Sequence, residues 1–204
     1  MKERGMIFNG EMVRAILDGR KTQTRRIIKD CTVGRDQISK FIQIEKKFIG
    51  CYPEDVPELI RECCPYGVPG DRIWVRETFC PVDDTQYGGE KWVDYRATPR
   101  YEASHPAGWD SAPNDAEALK WRPSIHMPRW ASRILLEITG VRVERLRSMS
   151  QDDARAEGVI AASGPMEAGL AFRELWDSIY GEESWKANPW VWVIEFKRVE
   201  GGAV

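Results

Sequence analysis

The sequence contains few of the residues and patterns that common catalytic sites require. It has 2 histidines and 5 cysteines among 204 residues. It contains no Gly-x-Ser-x-Gly elbow, no P-loop and no Rossmann glycine pattern, and neither histidine stands in a recognisable catalytic context. These absences argue against a Ser-His-Asp hydrolase and give no indication of a glycine-rich phosphate loop.

The cysteines also fail to form a recognisable pattern. An odd number of cysteines in a chain of this length does not suit a disulfide framework, so we expect reduced thiols. No Cys-x-x-Cys pair occurs, because Cys63 and Cys64 are adjacent. A zinc site formed by Cys31, Cys51 and Cys64 is the alternative. Apart from that set, the sequence predicts no metal and no cofactor.

Long apolar segments are missing as well. The longest strongly apolar run, residues 190–194, is far shorter than the roughly 20 residues that cross a bilayer. The N-terminus has no long apolar core of the kind found in signal peptides. We therefore expect a cytoplasmic protein with no membrane partner, and the sequence identifies no protein partner.

The charge is nearly balanced in total but uneven along the chain. A formal net charge of −2 argues against a polycation that coats nucleic acid. However, residues 1–30 carry eight Lys or Arg and four Asp or Glu, and residues 122–147 carry six Arg and two Glu. These two basic segments favour a compact site for a nucleotide or a short strand over binding to a long duplex.

The patterns of strands and helices mix irregularly, without a βαβ rhythm. Alternation and helical spacing predict strands near 6–8, 72–79, 132–146 and 190–196, a hairpin within 41–49, and helices near 9–17, 150–158 and 171–179. Residues 30–66 and 81–121 are predicted insertions. The sequence thus predicts one α+β domain over residues 1–204, with a mostly antiparallel sheet or small barrel and short flanking helices.

Glu77 is the most informative single residue. By strand alternation it shares one face with Ile73 and Val75, so its carboxylate lies on an apolar face. An unpaired charge is expensive there, and the group needs either a cation or a proton. The alternative is that the strand ends before Glu77, in which case the carboxylate reaches solvent.

Lys21 and Thr24 form a possible base and hydroxyl pair. A lysine held in a cleft can lose its proton near neutral pH and activate a threonine hydroxyl. Residues three apart in a straight strand point to opposite faces, so these two side chains converge only through a turn. A solvated basic loop is the alternative interpretation of the same residues.

Arginines and tryptophans occur close together in several places. Guanidinium groups suit phosphate contacts, and the candidates are Arg25, Arg26, Arg129 and Arg133. Aromatic rings beside arginine suit unstacked bases, and the candidates are Trp74 and Trp130. The alternative is a set of solvated charges combined with buried aromatic residues.

Several motifs together resemble the ASCH domain family, which belongs to the PUA-like superfamily. Residues 7–10 and 19–26 carry the resemblance first, because Gly19, Lys21 and Arg26 match the family signature G-x-K-x-x-E-x-R. Thr24 stands where many members have Glu. The similarity continues through residues 64–67, 70–78 and 121–133 and ends in the Trp-rich C-terminal strand, so nearly the whole chain resembles the longer ASCH proteins of phages and prophages.

The resemblance implies a small PUA-like β-barrel with helices beside a cleft that binds RNA or a nucleotide. One bacterial branch hydrolyses the amide of N4-acylated cytidines with a lysine, a threonine and a glutamate, and Lys21, Thr24 and Glu77 match these by motif position. The roles implied are general base for Lys21, and nucleophile or water-positioning group for Thr24. Glu77 would hold Lys21 and pass the proton to the leaving amine.

The leading hypothesis is therefore an amidohydrolase that acts on N4-acylated cytidine or a similar modified nucleoside. The members of that branch are much shorter than this chain, and the two insertions could cover or reshape the cleft. A module that binds single-stranded RNA or a nucleotide without catalysis is the second hypothesis. An ASCH-type ribonuclease and a structural phage role are further alternatives, because a fold alone does not determine an activity.

Overall fold

A computed structural model describes residues 1–29, 32–33, 41–44, 47–50, 56–83, 85, 89–100, 120–160 and 167–199. The strands are β1 (Glu3–Ile7), β2 (Gln23–Ile27), β3 (Thr32–Val33), β4 (Phe41–Ile44), β5 (Lys47–Gly50), β6 (Arg72–Arg76), β7 (Phe79–Asp83), β8 (Lys91–Tyr95), β9 (Leu135–Arg145) and β10 (Trp190–Arg198). The α-helices are α1 (Gly10–Leu17), α2 (Val56–Cys63), α3 (Gln151–Ala156), α4 (Glu167–Tyr180) and α5 (Glu182–Ala187).

The strands form one larger sheet and two small ones. The five-stranded sheet has the order β1-β6-β9-β10-β2, while β3-β4-β5 and β7-β8 pair separately. All of these pairs are antiparallel except β1 with β6. The predicted α+β class with mostly antiparallel pairing is therefore confirmed. Within the described residues the large sheet is open, with β1 and β2 at its edges, so the closed barrel stays a prediction.

The alternation of β10 separates two hydrophobic cores. Trp192 and Ile194 lie in the first core, with Ile73 and Val75 of β6 and the buried face of α1. Val191 and Val193 point to the opposite side and lie in the second core, with Phe172 and Trp176 of α4. We call these two sides of the large sheet the inner face and the outer face, respectively.

The segment from β6 to Glu77 follows the predicted alternation of buried and exposed side chains. Ile73, Val75 and Glu77 are all buried, whereas Trp74 and Arg76 between them are partly exposed. Regular pairing ends at Arg76 and resumes with β7 at Phe79. Glu77 thus lies just beyond β6 but remains on its buried side, and the alternative of a solvent-exposed carboxylate is not what the structure shows.

The helix ends follow the sequence signals. Asn9 caps α1, since its Oδ1 accepts a hydrogen bond from the Met12 backbone N–H at 2.8 Å. Ser150 and Asp153 form the predicted capping box at the start of α3, with a bond of 3.0 Å in each direction between side chain and backbone. None of the helices in the described ranges combines the length and apolar character needed to cross a membrane.

Both predicted insertions contain regular structure. The first includes α2 and the hairpin formed by β4 and β5, as the pattern over 41–49 predicted. The second includes β8, which pairs with β7, and residues 101–119 of that insertion lie outside the described residues.

The capping box gives a testable estimate of how firmly α3 is anchored. Replacing Ser150 with Ala removes the side-chain acceptor of the Asp153 N–H, so we expect the free energy of unfolding to fall by about 1 kcal/mol. Urea denaturation followed by circular dichroism measures the change. The control is Ser178→Ala, because that exposed hydroxyl bonds only to the Leu175 carbonyl within α4 and should be nearly neutral. Equal stability of both variants would contradict the capping role.

Candidate functional site

The Lys21 side chain is sealed inside the protein and paired with Glu157. Its side chain has no exposed surface, and Nζ donates at 2.8 Å both to Glu157 Oε2 and to the Glu157 carbonyl oxygen. The two residues also form an isolated antiparallel bridge through their backbones. The carboxylate partner of Lys21 is therefore Glu157, at the end of α3, and not Glu77 as the ASCH resemblance implied.

Arg25 on β2 binds the same carboxylate, that of Glu157. Its Nη1 donates to Glu157 Oε1 at 2.9 Å and its Nη2 to Glu144 Oε1 at 2.9 Å. Its side chain has no exposed surface, and its guanidinium lies 5.9 Å from the ring centre of Phe172. Arg25 therefore departs from the expectation of a phosphate contact, because a bound strand has no access to it.

The pairing extends over the outer face of the large sheet. Arg142 on β9 bridges Glu144, Asp153 and Glu195, and Gln23 on β2 donates to the Asp153 carbonyl at 3.0 Å. We call this set the buried ion network, and it consists of Lys21, Gln23, Arg25, Arg142, Glu144, Asp153, Glu157 and Glu195. It attaches α3 to strands β2, β9 and β10.

Glu157 is the important residue that the sequence analysis did not identify. It is the C-cap of α3, where the helix dipole disfavours a negative charge, so a carboxylate at that position needs a cation. The next residue, Gly158, has φ of +88°, and a Cβ there would lie 2.7 Å from Ala15 Cβ and 2.8 Å from Lys21 Cβ. A carboxylate followed by a helix-ending glycine indicates a group that needs a cation, but it does not identify Lys21 as that cation.

Thr24 lies on the opposite face of β2 from this network. Its register partner is Ile194, which belongs to the first core, whereas Arg25 is paired with Val193 of the second core. Thr24 is buried. The structure therefore keeps Lys21 and Thr24 on different sides of the strand, as the alternation of side chains in a strand requires.

Glu77 has a cation of its own, provided by Arg133. Arg133 Nε and Nη2 each donate to one oxygen of the Glu77 carboxylate at 3.0 Å, which is a bidentate pair. The same guanidinium lies 3.9 Å from the ring centre of Tyr95 and donates to Thr98 Oγ1 at 2.8 Å. Arg133 is therefore committed to a buried carboxylate, a ring and a hydroxyl, which together hold its orientation.

Burial shifts the pKa values of Lys21 and Glu77 towards neutrality. Burial lowers the pKa of Lys21 from its ordinary value, and the Glu157 carboxylate opposes that shift. Burial raises the pKa of Glu77, and the hydrogen bonds and charge of Arg133 oppose it. Such shifts occur in structural ion pairs and in catalytic acids and bases alike, so the geometry must distinguish the two. In the described part of the chain, no hydrogen bond or ion pair joins Lys21 to Glu77.

A different arrangement lies on the part of the outer face that β1 and β6 form. Trp74 on β6 is paired in register with Gly5 on β1 and is partly exposed. A Cβ at Gly5 would lie 2.6 Å from Trp74 Cζ2, so the indole rests directly on the glycine backbone. The absence of a side chain at residue 5 thus allows this ring to lie against the sheet.

Two arginines flank that indole without a carboxylate partner. Arg72 and Arg76 occupy the alternate positions on either side of Trp74, and neither forms an ion pair with any described residue. The Arg76 guanidinium lies 5.4 Å from the Trp74 ring centre and donates through Nη2 to the Ile125 carbonyl. Neither cation has a carboxylate within ion-pair distance among the described residues, although the register partners of Arg72 on the two neighbouring strands are Glu3 and Glu137.

Of the remaining predicted binding residues, Arg129 and Trp130 lie beside β1, whereas Arg26 is on the inner face of β2. Arg129 Nε bonds at 2.9 Å to Glu3 Oε2 on β1, which fixes the 3-10 turn Arg129–Ala131 beside the strand that carries Gly5. Trp130 in that turn is 69% exposed. Arg26 lies 5.4 Å from the Phe8 ring centre and donates to the Ile7 carbonyl at 2.8 Å. We call Arg72, Trp74, Arg76 and Arg129 the basic–aromatic face.

The suggested zinc ligands are only partly described. Cys31 and Cys51 lie outside the described residues, and Cys64 is buried and in no disulfide. Burial raises the pKa of the Cys64 thiol, which disfavours the thiolate that a metal needs. Over the described ranges no group of three or more His, Cys, Asp or Glu side chains is arranged to hold a metal ion.

Comparisons with protein-family models, with curated proteins and with solved structures find no match to this chain. The resemblance to ASCH proteins therefore rests on its sequence motifs alone.

Removing the carboxylate of Glu157 tests whether the buried ion network has a structural role. In Glu157→Gln, Lys21 and Arg25 lose their shared counterion within the protein, so we expect a loss of roughly 3–5 kcal/mol in the free energy of unfolding. Chemical denaturation of both proteins measures it. The matched control on the same helix is Asp152→Asn, whose exposed pair with Arg155 should contribute less than about 1 kcal/mol. A stable Glu157→Gln variant would show that the network is dispensable.

Proposed function

We propose that this protein binds single-stranded RNA through the basic–aromatic face, without requiring catalysis. The observation that carries the proposal is the partly exposed Trp74 indole on Gly5, flanked by Arg72 and Arg76, neither of which forms an ion pair with a described residue. A partly exposed ring between two such arginines matches the two parts of a nucleotide, a flat base and an anionic phosphate.

The aromatic part of the site favours unpaired bases. A base stacks on an aromatic side chain only when it is released from its neighbours, as in single strands, and stacking contributes about 1–3 kcal/mol per base. Trp74 belongs to neither of the two large cores, so its ring is not required to fill the interior. A partly exposed ring outside the cores is available to a ligand.

The charged part of the site favours an anionic ligand. Arg72 and Arg76 lie four residues apart on one face of a strand, with Trp74 between them, and Arg129, which is paired with Glu3, lies beside the neighbouring strand. Guanidinium groups without a protein counterion attract phosphate, and their field acts over about 10 Å at moderate salt. The net charge of −2 does not oppose this, because it is small and the attraction depends on the local charge.

The ASCH resemblance supports the choice of RNA and the finer description of the fold. As part of the proposal, the open sheet corresponds to a PUA-like barrel whose edges approach each other. Arg26 on β2 bonds to the Ile7 carbonyl at the end of β1, and this contact between the two edge strands favours that description. A cytoplasmic location fits the same proposal.

RNA binding should depend on salt and on Arg76. For the two phosphate contacts of Arg72 and Arg76, the logarithm of the affinity should fall with the logarithm of salt concentration with a slope of about −1.4. Arg76→Gln should weaken binding at every sequence and reduce the slope by about 0.7. Fluorescence anisotropy with a labelled single-stranded RNA of about 12 nucleotides measures both quantities. Cleavage of that RNA during the assay would instead support the ribonuclease alternative.

Two further variants separate the ring from the charge. Trp74→Ala should weaken binding about 10-fold or more with little change in the salt slope. Gly5→Ala keeps the indole but displaces it, so it should weaken binding in the same way. The matched control is Arg173→Gln, because Arg173 also lies near a tryptophan, 5.9 Å from the Trp185 ring centre, but on α4. Binding that is insensitive to salt, or equally weakened by Arg173→Gln, would contradict the proposal.

The N4-acylcytidine amidohydrolase is the second candidate, favoured by the shifted pKa values of Lys21 and Glu77. It requires the cleft to open, because Lys21 has no exposed side-chain surface and is held by Glu157. Thr24 and Glu77 are both associated with the inner face, while Lys21 lies across the strand from them. The geometry thus places two members of the implied catalytic set on one face of the sheet, with β9 and β10 between their strands, and its proposed base on the other face.

Turnover of N4-acetylcytidine tests this candidate directly. If the activity exists, Glu77→Gln and Thr24→Val should each reduce kcat/KM by about 100-fold or more, as expected for an acid–base group and a nucleophile. Liquid chromatography of released cytidine measures it. Glu137→Gln is the control, since Glu137 pairs with Lys197 on the other face and at the surface. No turnover by the unmodified protein, or turnover that both variants retain, would exclude this candidate.

A further inference from the structure

An apolar cavity lies between the β7–β8 hairpin and the turn that carries Trp130. Its volume is about 390 Å³, and its lining residues are Pro81, Val82, Asp83, Lys91, Trp92, Val93 and Trp130. That volume lies within the range of small-molecule sites, about 300–1,000 Å³. An apolar lining with few polar groups is typical of sites that receive a flat organic ring.

Trp130 is unusual because it lines this cavity while remaining mostly exposed. It is 69% exposed and belongs to no buried core cluster. Its neighbour Ala131 is buried against Phe79 and Met127, which holds the turn in place. The indole thus forms one wall of the cavity on a fixed backbone, and a ligand that covered it would bury apolar surface now in contact with water.

The cavity is connected to the basic–aromatic face through the preceding residue. Arg129 bonds to Glu3 on β1, the strand on which Trp74 rests, and Trp130 follows it directly. Along the chain, Arg129 thus links the wall of the cavity to the edge of the basic–aromatic face.

The polar groups of the cavity suit the edge of a heterocyclic base. Lys91 Nζ and Asp83 Oδ2 are 3.0 Å apart and provide donors and an acceptor at the rim. Hydrogen bonds from Thr85, followed by those of Lys91, lower the pKa of Asp83 to about 2, so its carboxylate accepts hydrogen bonds at neutral pH. A nucleobase combines apolar faces with donors and acceptors on its edge, which matches this distribution.

We propose that this cavity receives one nucleobase, stacked on Trp130 and bonded at its edge by Asp83 and Lys91. The proposal deepens the proposed function and rests on it, since the base belongs to the single-stranded RNA bound on the basic–aromatic face. The base leaves the stack of the strand and enters the cavity, while phosphate remains outside near Arg129.

Fluorine NMR of protein labelled with 5-fluorotryptophan tests the cavity without the polymer. The probes are CMP and AMP, and ribose 5-phosphate is the control because it carries the phosphate but no base. The Trp130 signal is assigned with the Trp130→Phe variant. We expect the mononucleotides to shift the signals of Trp130 and Trp92 and to leave that of Trp176, in the second core, in place. Equal shifts with ribose 5-phosphate, or no shift of Trp130 at saturating CMP and AMP, would overturn the proposal.

Affinity for RNA provides the second test. Trp130→Ala should weaken binding of the labelled RNA about 10-fold, because one stacked base is lost. The variant should keep its fold, since the side chain is mostly exposed, and Leu170→Ala on the exposed side of α4 is the control. If Trp74→Ala weakens binding but Trp130→Ala does not, the cavity proposal fails while the proposed function stands. If no RNA binds but the mononucleotides shift Trp130, the proposed function fails and the cavity remains a base site.

Discussion

The shared carboxylate of Glu157 is the interaction on which the arrangement of this structure depends. It neutralises Lys21 and Arg25, two cations that have no exposed side-chain surface and would otherwise be very costly to bury. Because Glu157 is the C-cap of α3, the ion pairs that it forms also hold this helix against the sheet. In this placement of α3, its carboxylates Asp153 and Glu157 contact Arg142 on β9 and Arg25 on β2.

This docking divides the outer face of the sheet into a covered and an uncovered half. Helices α3 and α4 lie over β2, β10 and the second half of β9, where the second core and the buried ion network form. Strands β1 and β6 carry no such cover among the described residues, and Trp74 rests there on Gly5. The proposed binding surface is therefore the part of the sheet that the buried ion network does not occupy.

Short-range patterns in the sequence predicted several of these features. They did not predict the contacts between residues that lie far apart along the chain. The alternation that buried Glu77 and the capping box of α3 were predicted because each depends on residues a few positions apart. The partners of Lys21 and Glu77 were not, because Glu157 lies 136 residues from Lys21 and Arg133 lies 56 residues from Glu77. Trp74 was predicted as a candidate for stacking on a base. Its contact with Gly5 was not, because Gly5 lies on β1, far from Trp74 along the chain.

The neighbours Arg25 and Arg26 show why formal charge is a weak guide to binding. Because side chains alternate along a strand, these two arginines lie on opposite faces of β2. Arg25 forms ion pairs with Glu157 and Glu144, while Arg26 donates a hydrogen bond to the Ile7 backbone carbonyl. A cation affects a ligand only when no protein carboxylate already neutralises it. The quantity that matters is thus the local excess of unpaired guanidinium groups, and a protein of net charge −2 attracts phosphate at any face where that excess is positive.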